Sequence, residues 1–362
     1  MDENPATQLS HPVYPPTVQR VVVSGIRDWG RAKTFTLVPD REMGENQLLP
    51  FRAGQYISVN LEISGCTLTR AYSLCSTPLA AKQGRYAITV ERCENGYGSD
   101  HILNTWQVGT KVEISEPLGT FFPVAPCKNV VALAGGSGIT PFFSMAGAIA
   151  DGMEDYNLTI LYGNRTAGEI LFREELETLC TRCGKLRLIH VLSEEQKPWA
   201  EHGVITAELV DKYAPKAEWS VFVCGAPSMY AFLRQDLKKL RLPGERLRFE
   251  MPGELRNAEL LPDYPEYARG KTFTLTVERA GVSREILVRS GESLLMAMER
   301  AGIRSNSRCR CGECGFCRSE LVSGRVFMPR EEEKRPMAEL ENGYIHPCRS
   351  YPVGDCHIRL AY

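Results

Sequence analysis

The sequence predicts a multidomain chain: a small antiparallel β-barrel, then an α/β domain with a parallel sheet, then a small domain organised around cysteines. Three observations lead to this prediction. Short β segments separated by turns fill residues 18–125, and apolar strands alternate with helical stretches in residues 126–252. Four of the 13 cysteines stand close together between residues 309 and 317.

Length and composition limit the possible functions. At 362 residues the chain exceeds what one hydrophobic core usually supports, so we expect three domains. Hydrophobic residues make up 43% and charged residues 24%, as in soluble proteins, and no apolar run approaches the ~20 residues of a membrane-spanning helix. A formal net charge of −1 without a basic cluster argues against nucleic-acid binding.

The cysteines and the N-terminus indicate a reducing compartment. The opening sequence Met-Asp-Glu-Asn-Pro lacks the basic and apolar segments of a secretory signal. We therefore expect a cytoplasmic protein whose 13 cysteines form no disulfides.

The first 125 residues comprise an arm and a barrel. Residues 1–17 are rich in proline without hydrophobic periodicity, so we predict a flexible arm. The barrel prediction is based on β segments at 21–23, 34–37, 56–59, 86–90 and 111–114.

Two stretches of the barrel together predict an anion site. Arg70 lies in a strand-like segment that places a cation near an aromatic residue and a hydroxyl. Farther on, Gly96 and Gly98 precede an expected helix start, where Ser99 or Asp100 can act as the N-cap. An arginine beside a helix N-terminus favours a phosphate group.

The α/β domain carries a glycine-rich turn after its first strand. Residues 135–141 read Gly-Gly-Ser-Gly-Ile-Thr-Pro, in which Gly135, Gly136 and Gly138 let the backbone approach a pyrophosphate. We expect Thr140 to be the N-cap of the following helix and Pro141 to occupy its first position.

Two further positions of this domain lie where open α/β sheets bind ligands. Cys224 and Gly225 end the last apolar strand, at the carboxyl edge of the predicted sheet. Arg165 follows the second strand, where a guanidinium is suited to a ribose 2′-phosphate.

The cysteines near the C-terminus predict an iron–sulfur cluster. Cys309, Cys314 and Cys317 have the spacing Cys-x4-Cys-x2-Cys, and Cys348 follows far downstream, which is the plant-type [2Fe–2S] arrangement. Cys311 would be a spare thiol beside the cluster.

Other interpretations of these cysteines exist. Cys311, Cys314 and Cys317 match the opening of a [4Fe–4S] run, but Leu321 stands where its next cysteine should be. A zinc knuckle or a disulfide pair is the other alternative.

Residues 271–362 resemble a plant-type ferredoxin domain. The resemblance includes strands at 271–277 and 285–288, a helix at 293–299 and the cysteine loop. It implies a β-grasp fold with Cys309, Cys314, Cys317 and Cys348 as the cluster ligands, and it excludes Cys356.

Residues 20–252 resemble the ferredoxin–NADP reductase superfamily. The resemblance is carried by Arg-Ala-Tyr-Ser at 70–73, by Phe-Arg-Ala-Gly-Gln-Tyr at 51–56, by the glycine-rich turn and by Cys-Gly at 224–225. It implies bound FAD, with FMN as the alternative, and NADH or NADPH as the co-substrate.

The resemblance also implies roles for individual residues. Tyr72 would flank the isoalloxazine, Ser73 would hydrogen-bond near its N5, and Arg70 with Ser99 would contact the flavin phosphates. Ser73 and Cys224 would set the geometry of hydride transfer. The flavin-binding and nucleotide-binding residues are then Arg70, Tyr72, Ser73, Gly96, Gly98, Ser99, Gly135, Gly136, Gly138, Thr140, Pro141, Arg165, Cys224 and Gly225.

The domain order resembles that of phenylacetate oxygenase reductases and hybrid-cluster-protein reductases. A nicotinamide gives two electrons as one hydride, a [2Fe–2S] cluster accepts one at a time, and a flavin converts between them. This predicts electron transfer to a partner oxygenase or reductase. The alternatives are an electron-transfer subunit of a larger complex or a redox-sensing protein. We expect residues 253–270 to be a linker that lets the cluster domain move.

Overall fold

The computed structural model describes residues 18–93, 96–124, 127–250, 253–329 and 333–361. The predicted N-terminal arm, residues 1–17, lies outside these ranges. Within them the strands form two six-stranded sheets, one five-stranded sheet and a two-stranded ribbon. The three larger sheets follow one another along the chain.

The first sheet is antiparallel and curls on itself. Its strands are β1 (Val18–Asp28), β2 (Ala32–Pro39), β3 (Tyr56–Ile63), β4 (Cys66–Ser73), β5 (Tyr86–Glu91) and β6 (Lys111–Ser115), in the order β4-β3-β6-β1-β2-β5. The outer strands meet where Leu74 pairs with Ile88. Helices α1 (Pro78–Lys82) and α2 (Tyr97–Thr105) complete this part. Alternate apolar side chains of the strands point inward and fill the barrel.

The second sheet is parallel throughout. Its strands are β7 (Asn129–Gly135), β8 (Asn157–Asn164), β9 (Leu186–Leu192), β10 (Glu201–His202), β11 (Ser220–Cys224) and β12 (Leu247–Phe249), in the order β10-β9-β8-β7-β11-β12. Helices α3 (Thr140–Ala150), α4 (Arg173–Arg182), α5 (Ala207–Tyr213) and α6 (Pro227–Asp236) connect them. The carboxyl ends of β7, β8 and β11 therefore lie at one edge, where ligands of such sheets bind.

The third sheet is mixed. It contains β13 (Thr272–Arg279), β14 (Val282–Arg289), β15 (Ser319–Ser323), β17 (Tyr344–Ile345) and β19 (Cys356–Leu360), in the order β14-β13-β19-β15-β17. Strands β16 (Val326–Phe327) and β18 (Tyr351–Pro352) form the ribbon, and α8 (Met337–Glu341) precedes β17. Helix α7 (Leu294–Arg300) packs its apolar face on the sheet. The three sheets confirm the predicted fold class.

The predicted linker is packed rather than extended. Residues 253–270 form short 3-10 turns at Ala258–Leu260 and Glu266–Ala268. Tyr264 between them is buried against Tyr351 and Val353, and its hydroxyl lies 2.7 Å from the Pro352 carbonyl oxygen. The linker therefore packs with the C-terminal domain, and the movement of the cluster domain remains a prediction.

Among the helices of the described ranges, none combines the length and the apolar character needed to cross a bilayer.

Candidate functional site

The residues predicted to bind a flavin phosphate line one cavity. Strand β4 carries Arg70 and Tyr72, and the start of α2 faces them across the opening. The cavity has a volume of about 690 Å³ and is bounded by these two side chains together with Gly96, Gly98 and Ser99. The structure thus brings together two segments that are some 25 positions apart in the sequence.

The start of α2 differs from the prediction. Gly96 occupies the N-cap, so neither Ser99 nor Asp100 caps the helix. The Ser99 hydroxyl instead donates to the Gly96 carbonyl oxygen at 3.1 Å, because it already lies within the first turn. A Cβ atom on Gly98 would lie 3.0 Å from Arg70 Nε. The glycine therefore lets the guanidinium lie against the helix start, where an anion meets both the cation and the free N–H groups.

Sequence reasoning missed three cations of this cavity. Arg234, Arg256 and Arg349 contribute to its wall, as do Glu91 and Glu254. With Arg70 they give the lining four arginines against two carboxylates, which suits the anionic phosphates of a flavin nucleotide. The three arginines come from distant parts of the chain and share no motif, so no local signal could have identified them.

The glycine-rich turn is built around close backbone contacts. Gly136 has a φ of +54°. A Cβ atom on Gly138 would lie 2.2 Å from the Cys224 carbonyl oxygen, so only glycine fits where the turn after β7 crosses the end of β11.

The helix after this turn also begins differently from the prediction. Residues Gly136–Ile139 form a 3-10 turn that runs directly into α3. Thr140 already has helical backbone angles, and its hydroxyl donates to the Ser137 carbonyl oxygen at 2.9 Å. The predicted N-cap role of Thr140 is therefore wrong, because the chain becomes helical earlier. Thr140 and Pro141 are both buried.

A second cavity, of about 810 Å³, lies at the carboxyl edge of the parallel sheet. Of the predicted residues it is lined by Gly135, Gly136, Arg165 and Gly225. It adjoins the first cavity, because both are lined by Glu91, Cys93 and Pro227. A nicotinamide in the second cavity and a flavin in the first would therefore meet at a shared wall.

Ser73 and Cys224, the two residues predicted to set the hydride geometry, are connected by a residue that sequence reasoning missed. The Ser73 hydroxyl donates to Glu250 Oε1 at 2.6 Å, and the Cys224 thiol donates to Glu250 Oε2 at 2.5 Å. Glu250 directly follows β12, whose pairing with β11 brings it beside Cys224. Its only signal in the sequence is a carboxylate at the end of the last strand.

The electrostatics of this group favour neutral side chains. Burial, and then the Glu250 charge, raise the pKa of the Cys224 thiol well above its ordinary value. Burial likewise raises the pKa of Glu250. Cys224 is thus held as a thiol that donates a hydrogen bond, which fits an orienting role rather than a nucleophilic one.

The structure brings the four predicted cluster ligands together, three from the loop at 309–317 and Cys348 from the short 3-10 turn Pro347–Arg349. The Cys309 sulfur accepts hydrogen bonds from the backbone N–H groups of Cys311 and Cys314 at 3.5 and 3.4 Å. The sulfurs of Cys317 and Cys348 lie 3.3 Å apart. The Cys309 thiol also lies beside the thiols of Cys311, Cys314 and Cys348.

The loop geometry fits a [2Fe–2S] cluster. Gly312 and Gly315 have φ angles of +85° and +71°, which let the backbone wrap closely and direct N–H groups at sulfur. In the described part of the chain no three His, Cys, Asp or Glu side chains are arranged around a single metal position. A two-iron cluster needs no such group, because its four thiolates are shared between two irons. Cys356, the thiol excluded by the prediction, begins β19 and packs in the core of this domain.

The cysteine loop packs directly against the barrel. Cys309 and Cys311 form a buried cluster with Tyr56, against which Ala71 also packs. Ala71 lies between Arg70 and Tyr72 on β4. The strand that carries the predicted flavin motif is therefore in contact with the loop that carries the predicted cluster ligands.

Polar contacts reinforce this interface. The Ser58 hydroxyl donates to the Arg308 carbonyl oxygen at 2.9 Å, and the hydroxyls of Thr69 and Ser307 lie 2.6 Å apart. All four side chains are buried. Between two of the cysteines, Arg310 forms ion pairs with Glu254 and Glu299.

Comparison with protein families identifies the three parts. Residues 39–122 match the oxidoreductase FAD-binding domain, residues 132–235 the oxidoreductase NAD-binding domain, and residues 277–353 the 2Fe-2S iron-sulfur cluster binding domain. The matched ranges lie within the domains predicted at 18–125, 126–252 and 271–362, whose boundaries remain predictions.

Curated relatives align with the chain over most of their length. The chain is 29% identical to the ferredoxin reductase component of 3-ketosteroid-9-alpha-monooxygenase from Mycobacterium tuberculosis, over 85% of this chain and 84% of the relative. It is 27% identical to the glycine betaine monooxygenase reductase subunit of Chromohalobacter salexigens, over 94% of both.

A solved structure shows the same arrangement. Phthalate dioxygenase reductase, described as a modular structure for electron transfer from pyridine nucleotides to [2Fe–2S], matches 95% of this chain and 98% of its own, with 25% identity and a TM-score of 0.65. This similarity extends over all three domains of the chain. The chain belongs to the ferredoxin–NADP reductase-type flavoproteins that carry a C-terminal plant-type [2Fe–2S] ferredoxin domain.

Proposed function

We propose that this oxidoreductase takes a hydride from NADH or NADPH onto FAD and passes single electrons through its [2Fe–2S] cluster to a partner protein. The observation that carries the proposal is the buried contact between the cysteine loop and β4. Cys309 and Cys314, two of the proposed cluster ligands, take part in this contact beside the strand that bears Arg70, Tyr72 and Ser73, which supports the proposal. The two cofactor sites are thus held together within one chain.

The residues around Glu250 would position the reacting groups. Ser73 and Cys224 come from two different domains, and Glu250 holds both by hydrogen bonds. Glu250 therefore fixes the distance between the flavin side and the nicotinamide side of the site. An error of about 1 Å in such a distance can cost roughly 100-fold in rate.

Cys309, Cys314, Cys317 and Cys348 would hold the cluster. When bound, the flavin and the cluster together supply the change from two-electron to one-electron chemistry. The loop around these cysteines is covered by Tyr56 and by the buried hydroxyls of the interface, which exclude water from the path between the two sites.

The proposed partner is the terminal component of an oxygenase. The relatives described above are named as reductase components of monooxygenases, and a reductase acceptor is the other class that the domain order predicts. We further propose a cytoplasmic location, because cysteine ligands must stay reduced to bind iron. All 13 cysteines are free thiols in the structure.

The function is tested by removing one ligand. Cys348→Ala should keep nicotinamide-dependent reduction of a small dye, because electrons can leave from the flavin. It should lose the reduction of cytochrome c and the visible absorbance of the cluster.

Two matched variants complete the test. Cys356→Ala removes another buried thiol of the same domain and should keep both activities. Cys311→Ala should also keep the cluster. If Cys311 were instead a ligand of a [4Fe–4S] cluster, this variant would lose it. Equal loss of dye and cytochrome c reduction in Cys348→Ala would contradict the serial route.

A further inference from the structure

The cavity at the edge of the parallel sheet has one end that suits an adenosine ribose. In sheets of this kind the pyrophosphate lies at the first glycine-rich turn, and the ribose lies at the end of the next strand. Here that end is formed by Asn164, the last residue of β8, by Arg165, which follows it, and by Ser193, which follows β9. The two loops are joined, because Ser193 N donates to the Asn164 carbonyl oxygen at 3.1 Å.

Arg165 is the cation that could bind a 2′-phosphate, but it already forms an ion pair with Glu169. Arg165 Nη2 lies 2.5 Å from Glu169 Oε1, and Arg165 Nε lies 3.2 Å from Glu169 Oε2. Although burial raises the pKa of Glu169, the Arg165 hydrogen bond and the charges of Arg31 and Arg165 hold it below the ordinary range. The carboxylate is therefore ionised at neutral pH.

Arg31, the other cation of the cavity wall, is also ion-paired. Arg31 forms an ion pair with Glu91 and lies 3.2 Å from Glu169. The two cations that line the cavity are thus matched by two carboxylates. A phosphate dianion in this position would have to displace Glu169 from its partners.

Two more carboxylates stand near Arg165. Glu194 N donates to the Arg165 carbonyl oxygen at 3.0 Å, and the hydrogen bond to Glu169 and then the charges of Glu169 and Glu194 raise the pKa of Arg165. Glu195 Oε2 accepts from Ala167 N at 3.0 Å, with Lys197 as its ion-pair partner at 3.8 Å. The surroundings of the ribose end therefore have a surplus of negative charge.

We infer that this site takes NADH and rejects NADPH, and that Glu169 determines the preference. The inference rests on the proposed function only in treating the cavity as the nicotinamide nucleotide site. The named carboxylates outnumber the named cations by one: they are Glu91, Glu169, Glu194 and Glu195, against Arg31, Arg165 and Lys197. A dianion about 5 Å from one uncompensated negative charge is disfavoured roughly tenfold even at the dielectric constant of water, so we expect a discrimination on the order of tenfold at low ionic strength.

Binding without chemistry gives the first test. Titration calorimetry of the purified holoprotein with ADP-ribose and with 2′-phospho-ADP-ribose should show tighter binding of ADP-ribose. Equal affinities, or tighter binding of the phosphorylated compound, would overturn the inference. In steady-state dye reduction, kcat/KM should favour NADH over NADPH by a similar factor.

Variants locate the cause. Glu169→Gln frees Arg165, so the affinity for 2′-phospho-ADP-ribose should rise on the order of tenfold while that for ADP-ribose stays within a few fold. Glu177→Gln is the matched control, because Glu177 also pairs with an arginine four residues away, at 2.9 Å, on the surface of α4. It should leave both affinities unchanged.

Failure of the inference and failure of the proposed function can be told apart. If Glu169→Gln weakens the binding of both compounds, the test is repeated with Glu194→Gln, which alters an exposed side chain near Arg165. If the ratio of the affinities for ADP-ribose and 2′-phospho-ADP-ribose is unchanged in both variants, the charge argument is refuted. If ADP-ribose is preferred but neither nucleotide reduces the flavin, the inference stands and the proposed function fails.

Discussion

The buried charge group around Arg310 allows a quantitative prediction. Arg310 stands between Cys309 and Cys311 and pairs with Glu254, just after the nucleotide domain, and with Glu299 on α7. The three side chains are only 3%, 9% and 10% exposed. The group therefore links the cysteine loop to the segment that enters the C-terminal domain.

Replacing Arg310 should be costly. In Arg310→Met, Glu254 and Glu299 stay buried without their ion-pair partner, and breaking a buried pair in this way typically costs about 3–5 kcal/mol. The charges of Arg70 and Arg256 also act on Glu254, so we expect the lower part of this range as the loss in free energy of unfolding.

Two spectroscopic signals follow the unfolding of the C-terminal domain and of the other two domains separately. The absorbance of the cluster at wavelengths beyond the flavin bands reports on the C-terminal domain, whereas all 4 tryptophans lie before residue 253 and report on the other two domains. In a urea titration, Arg310→Met should move the midpoint of the absorbance transition to a much lower urea concentration. The midpoint of the tryptophan fluorescence transition should move less.

The chain offers a matched surface control. Arg359 also pairs with two glutamates, Glu278 at 3.0 Å and Glu320 at 2.7 Å, but its side chain is 45% exposed. Exposed ion pairs contribute about 1 kcal/mol or less, so Arg359→Met should shift the absorbance transition only slightly. Equal shifts in the two variants would refute the reasoning from burial.

A charge-balanced variant tests the mechanism. The triple variant Arg310→Met, Glu254→Gln, Glu299→Gln also removes the two carboxylates that Arg310→Met leaves without their ion-pair partner. Most of the lost stability should therefore return. If the triple variant is as unstable as Arg310→Met, the loss comes from packing of the arginine rather than from charge.

Two further variants, Glu250→Gln and Gly138→Ala, test the hydride site and the glycine-rich turn. Glu250→Gln should lower the rate of flavin reduction in stopped-flow measurements on the order of 10- to 100-fold, because the bridge between Ser73 and Cys224 is weakened. Burial raises the pKa of Glu250, so its contribution to stability is complete below the ordinary glutamate pKa and is lost as the pH rises through the raised value. Glu250→Gln should therefore flatten the decline of Tm with rising pH, and an unchanged slope would contradict this. Gly138→Ala places a Cβ atom 2.2 Å from a backbone oxygen and should lower both Tm and nucleotide-dependent activity, whereas Gly184→Ala, with open space around it, should change neither. Equal effects of the two alanines would exclude the proposed clash.

The sequence by itself determined the parts whose chemistry needs neighbouring residues. A cluster loop needs several thiols and glycines within a few positions, and a pyrophosphate turn needs consecutive glycines after a strand. Both patterns are therefore visible in the sequence, and the family comparisons confirm the cofactor classes that they predicted. The alternation of short strands and then of strands with helices likewise predicted the fold class.

Only the tertiary structure decided how these parts meet. Glu250 binds Ser73 from 177 positions away, and Ser58 binds the Arg308 carbonyl oxygen from 250 positions away. No local pattern marks such residues, because their partners are set by strand order and by domain packing. The same reason applies to the linker, whose prolines and polar residues do not reveal that Tyr264 is buried against Tyr351 and Val353 of the C-terminal domain.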